Sequence, residues 1–175
     1  MSDQTFARLP DNINGAIMKV AAQWKENMVF TGMPDSGFSV QMDADDYFGG
    51  THSGVRPMEM VALGLAGCTG MDVISILKKK RQQVTQFEVK VNAPRSPEYP
   101  KVFTSALITY IVTGKDVEEA AVLRSIELSI TKYCPVQFML AQVFPMEMHY
   151  EIYEDEGDGS RRLTARGVWQ ELPTE

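Results

Sequence analysis

Two cysteines, Cys68 and Cys134, are the only thiols in 175 residues. A thiol does chemistry as its thiolate. A pair of them permits oxidation to a sulfenic acid and then to a disulfide. Cys68 lies in the longest apolar run of the chain, "RPMEMVALGLAGCTGMDVISILKKKR", residues 56–81. Cys134 directly precedes Pro135 in "KYCPV". A proline favours the first position of a helix, so Cys134 is expected at or beside a helix N-cap. Free N–H groups and the positive end of the dipole there would lower its pKa. If the 57–80 run is one helix, Cys68 is mid-helix without such help. Asp72, four residues on, shares its face and would disfavour a thiolate. Gly64, Gly67 and Gly70 imply close approach near Cys68 by another helix, another chain or a ligand. The bland alternative for both cysteines is core filling. No C-x-x-C or H-x-x-x-H spacing joins them to His52 and His149 as metal ligands. Phosphate-loop, dinucleotide and nucleophile-elbow patterns are absent as well.

These thiols need elements to hold them. Pro57 fits the first position of a helix running to about Lys80, and "KKKR" at its end suits the dipole. The run has membrane length, but Glu59 and Asp72 would be costly in lipid. A central helix buried on all sides is therefore expected. Before it, residues 16–24, "NMVFTG" and 37–43 read as antiparallel strands; Phe38, Val40 and Met42 alternate with Ser39, Gln41 and Asp43. After it, Phe87, Val89 and Val91 point inward from a strand, and 102–112 forms another. Asp116 with Glu119 resembles a capping box opening a helix with Leu123, Ile126 and Ile130 as its stripe. Pro135 ends that helix and starts a short one. Met146, Met148, Tyr150 and Ile152 alternate in a final strand. The order predicts an α+β domain with a mainly antiparallel sheet over 16–153. Residues 1–15 read as an N-terminal extension and 154–175 as a polar tail in which Trp169 and Leu172 could dock.

Composition agrees with one globular domain: 44% hydrophobic and 23% charged residues. A net charge of −6 argues against nucleic acid as the main partner. The polar, acidic start shows no secretion signal, so a cytoplasmic protein is expected.

"RPMEMVALGLAGCTGMDV" together with "KYCPV" resembles the two cysteine motifs of the OsmC/Ohr family, the osmotically inducible and organic hydroperoxide resistance proteins. The resemblance covers about residues 16–153. It implies an intertwined homodimer with two long central helices and active sites at the interface. It also implies a thiol peroxidase without metal or organic cofactor, with Cys68 attacking and Cys134 resolving. The substrate would be an organic hydroperoxide, and a lipoyl-like dithiol or small thiol would reset the pair. Met58, Met60, Met71, Phe138 and Met139 would suit an organic peroxide, or simply fill core.

The family's peroxidases carry a glutamate directly after the motif proline, paired with an arginine from the N-terminal strands. Here Met58 follows Pro57, Glu59 comes one later, and no arginine lies between Arg8 and Arg56. Arg56 is the nearest candidate for activating the thiolate; otherwise it is a solvated charge at the helix start. Glu59 stands roughly 13 Å along the axis from Cys68 in a straight helix, so its help would have to come across an interface or after a break. The bland reading of Glu59 is an acidic first-turn residue. A chain with these departures could also be a non-catalytic OsmC-like protein that binds a small apolar ligand or senses redox state.

Overall fold

The computed structural model describes residues 17–170. The chain divides into two compact units, Met1–Pro57 and Met58–Glu175. The expected N-terminal extension 1–15 and Leu172 lie outside the described residues.

In the N-terminal unit β1 (Val20–Glu26), β2 (Val29–Pro34) and β3 (Val40–Met42) form an antiparallel sheet in chain order. Asn27 takes a left-handed φ of 46° in the tight turn between β1 and β2, as a two-residue hairpin loop demands. Val29 and Gly32 are the buried residues of β2, whereas every residue of β1 is exposed. The expected alternation of β3 holds for half-buried Val40 and Met42 but not for Phe38. Phe38 is 82% exposed, and Asp43 is buried in its place. The loop explains that inversion. The Asp43 carboxylate accepts the N–H groups of Ala44, Thr51 and Ser53 and the hydroxyls of Thr51 and Ser53 at 2.8–3.1 Å. These donors hold its carboxyl far below the usual carboxylate range.

The long run folds as α1 (Pro57–Lys79), which ends on Lys78 and Lys79 as expected. Its length and composition would allow a membrane crossing. The single chain covers one side of the helix expected to be buried by its own sheet and a partner chain. Leu65, Thr69, Gly70, Val73 and Leu77 are buried, a stripe of about one side per turn. Val61, Leu63 and Met71 are exposed. Of the three glycines only Gly70 meets close approach: a Cβ there would lie 3.2 Å from Val89 Cγ2. A Cβ on Gly64 or Gly67 would meet nothing within 4 Å.

The sheet of this unit has the order β4 (Gln83–Asn92), β5 (Ala106–Lys115), β6 (Met146–Asp155) and β7 (Arg161–Val168). The β4–β5 and β6–β7 pairs are antiparallel, but β5 and β6 run parallel. Four of the five strand pairings among the described residues are antiparallel, in line with the mainly antiparallel reading, and β5–β6 is the parallel one. Parallel neighbours need a long crossover. Here it is α2 (Glu119–Leu128), a π-turn (Ser129–Tyr133) and α3 (Pro135–Leu140). Ile108, Tyr110 and Val112 register with Met148, Tyr150 and Ile152, and all six join Leu65, Val73, Leu77, Val122 and Ile126 in one core. Fully burying each large aliphatic side chain there stabilises the fold by about 1.5–3 kcal/mol.

Two further expectations are corrected. Asp116 does not cap α2; it sits at a φ of 50°, and its N–H donates to Glu154 at 3.2 Å. The N-cap is Glu118, without a side-chain capping bond. Glu119 accepts the Tyr150 hydroxyl, so it is drawn to the sheet and makes no capping box. The polar tail of 154–175 is in part a strand: β6 continues to Asp155 and β7 pairs along it. The partly buried positions of β7 are Ala165 and Gly167. A Cβ on Gly167 would lie 2.7 Å from the Tyr150 hydroxyl oxygen, which requires glycine there. Trp169 does dock, its backbone N–H donating to Met148 O at 2.8 Å and its ring packing on the core.

Candidate functional site: a thiol pair and its hydroxyl chain

Cys68 sits midway along α1, half-buried, beside Thr69 and one turn before Asp72. Cys134 arrives from the crossover. Pro135 excludes the helical conformation for Cys134. Its backbone is extended, with φ −79° and ψ 101°, and it caps α3. The Cys134 Sγ accepts the Gln137 N–H at 3.4 Å, the capping bond expected from the Cys-Pro dipeptide. Cys68 is a near enough neighbour to influence the Cys134 thiol, and neither cysteine is in a disulfide.

The electrostatic expectation for Cys134 is overturned. Its thiol is pushed up to about 12. Burial is the leading cause, at 2% exposure, followed by the hydrogen bond with Cys68. The Gln137 N–H pulls the other way, but the charges of Cys68 and Asp72 add to the rise. One N–H at the start of a six-residue helix does not offset removal from water. Cys134 therefore stays protonated at neutral pH.

A chain of hydroxyls runs beside the pair, and sequence reading missed it. Tyr110 of β5 and Thr69 of α1 have hydroxyl oxygens 2.5 Å apart, and Thr69 and Ser129 are 2.9 Å apart. Ser129 donates to Asp72 Oδ2 at 3.1 Å. A carboxylate only accepts, and each hydroxyl has one proton. The direction is thus set: Tyr110 donates to Thr69, Thr69 to Ser129, and Ser129 to Asp72. Burial raises the Tyr110 phenol to about 12 against the pull of Thr69, with Cys134 and Asp72 contributing. A signal was present in the sequence. Thr69 breaks the row Leu65–Thr69–Val73–Leu77 on the buried face of α1, where a lone polar residue needs a partner.

The other two expected site residues lie elsewhere. Glu59 is exposed in the first turn of α1, roughly 13 Å along the axis from Cys68. Arg56 belongs to the N-terminal unit, where its guanidinium binds Asp45. Beside Cys134 lies a hollow of about 290 Å³, lined by Ile130, Tyr133, Phe138 and Met139 among others. Phe138 is 65% and Met139 60% exposed, so these residues form a rim rather than core. Among the described residues no cluster of three His, Cys, Asp or Glu is gathered to hold a metal.

The family model described as OsmC-like protein matches residues 50–149. Protein YhfA of Escherichia coli strain K12 is 38% identical over 135 residues, covering 77% of this chain and 98% of that protein. The crystal structure of a hypothetical protein from Aquifex aeolicus is 27% identical with a TM-score of 0.72, over 81% of this chain and 100% of the other. An organic hydroperoxide resistance protein from Elizabethkingia anophelis shares the fold, with a TM-score of 0.59 at 12% identity over 82% and 99% of the two chains.

Proposed function

Because the chain belongs to the OsmC-like protein family, we propose that it reduces organic hydroperoxides through Cys68 and Cys134. The observation that carries this reading is a half-buried Cys68 neighbouring a buried Cys134 whose thiol is held protonated. The Cys68 thiolate attacks the terminal peroxide oxygen. The O–O bond breaks, the alkoxide leaves and takes a proton to become an alcohol, and Cys68 becomes a sulfenic acid. Cys134 then attacks that sulfur; its thiol proton leaves with the hydroxyl as water, and a disulfide forms. A dithiol, lipoyl-like, or a small thiol restores both groups by exchange. The apolar rim at Phe138 and Met139 supports an organic rather than an inorganic peroxide. The working form is a homodimer in the cytoplasm, and the open face of α1 at Val61, Leu63 and Met71 is the support for a second copy.

Counting thiols before and after one equivalent of cumene hydroperoxide tests the reading. Both thiols should disappear with formation of one alcohol. Persistence of both, while a control peroxidase consumes the reagent, defeats it.

Asp72 favours a second reading, since its charge opposes a thiolate in this cluster. In it the hollow beside Cys134 holds a small apolar ligand, or the pair senses oxidation without turnover. A pair that oxidises once but is not reset by any dithiol fits that version.

A further inference from the structure

Ser129 touches both thiol-bearing segments at once. Its hydroxyl bonds Thr69 and Asp72, which follow Cys68 on α1 by one and four residues. Its carbonyl accepts the Cys134 N–H at 2.9 Å, the five-residue hydrogen bond that closes the π-turn. The contrast with Ser125, one turn earlier on the same buried face, is informative. Ser125 bonds back to the Ala121 carbonyl at 2.7 Å, as a helix serine without a tertiary partner does. Ser129 is equally buried but turns its hydroxyl across to α1. A π-turn adds a residue to the helical circuit and re-aims the next residue of the chain, and such turns recur at functional sites. The residue re-aimed by this turn is Cys134.

We propose that Ser129, with Thr69, is a positioning residue that holds the Cys134 sulfur in line for attack on an oxidised Cys68. The inference rests on the reading of Cys134 as the second thiol, but not on peroxide as the oxidant. Loss of the tether leaves the first oxidation of Cys68 alone and slows only the closing step. A misplacement of about 1 Å between reacting groups costs up to about a hundredfold in rate.

An aromatic disulfide that releases a coloured thiolate separates the two steps. The Cys68 thiolate attacks it, one aryl thiolate leaves, and Cys68 carries a mixed disulfide. Cys134 then loses its proton to buffer and attacks the Cys68 sulfur. The second aryl thiolate leaves, and the internal disulfide forms. Stopped-flow absorbance on the full chain gives a rate for each release. Ser129→Ala should slow the second release by about tenfold or more and leave the first within about twofold. Thr69→Val, which keeps the buried volume, should act in the same direction. Thr69→Ser, which keeps the hydroxyl, should restore the second rate. A second release within about twofold of the parent in both Ser129→Ala and Thr69→Val overturns the proposal. Equal slowing of both releases overturns it too, because that marks general loss of structure. Failure of the cumene hydroperoxide experiment, with the two-step release intact, would remove the peroxidase reading and leave this one standing.

Discussion

Asp43 and Cys134 are both buried, one in each compact unit, and they end in opposite charge states. Asp43 in the N-terminal unit is ringed by three N–H donors and two hydroxyls, and these hold it as a carboxylate. Cys134 in the C-terminal unit receives one N–H donor and two neighbours whose charge opposes its own ionisation, and it stays a thiol. Burial alone disfavours charge in both places. The number and direction of donors decides which group stays charged. The loop 43–55 is built around an anion. The thiol cluster is built around neutral hydrogen bonds that end on one outer carboxylate, Asp72.

The largest effect expected at the thiol cluster comes from this division of labour. Cys68→Ser should abolish hydroperoxide consumption, because the proposed mechanism gives the half-buried thiol the first attack. Cys134→Ser should retain the first step and leave a sulfenic acid that dimedone traps. If Cys134→Ser removes the first step instead, the roles implied by the family resemblance are reversed.

At Asp43 the effect is on structure. A carboxyl held low contributes stability that is present above its unfolded value of about 3.9 and lost as pH falls through its folded value. The Thr51 and Ser53 amide resonances should therefore stay put through about pH 4 and shift only in stronger acid. Asp43→Asn should displace them already at neutral pH and remove the acid transition. Amides in Asp43→Asn that overlay the parent would show that the carboxylate does not organise this loop.

The smallest effect is expected at high pH. A thiol raised from 9.0 to about 12 gives stability that is complete below about 9 and lost as pH rises toward 12. Tyr110, raised from 10.0 to about 12, adds in the same sense. Urea midpoints should fall between pH 8 and pH 11, by less in Cys134→Ala. A parent and variant with the same alkaline slope would mean that the Cys134 proton is not bound more tightly in the folded state.

The parts of the fold readable from sequence were those controlled by neighbours along the chain. Pro135 placed Cys134 at an N-cap, because the restriction acts on the adjoining residue. The alternation of Met148, Tyr150 and Ile152 marked β6, because a half-buried strand writes its period in apolar side chains. β7 escaped notice for the converse reason. Its inward positions are Ala165 and Gly167, and at Gly167 the Tyr150 ring leaves no room for a side chain, so no apolar period exists to read. The capping box failed because Glu119 had a better partner in the sheet. The spacing of Asp116 and Glu119 carries no information about Tyr150.

Sequence by itself determined the family, the two thiols and the helix starts that carry them, since these depend on residue identity and short-range sterics. Tertiary structure alone decided that β5 and β6 lie parallel. It joined Thr69, Tyr110 and Ser129 across 60 residues of chain into one hydroxyl line. It also reversed the electrostatics of Cys134, because desolvation depends on everything packed around a group, whereas a helix dipole can be read from its first turn.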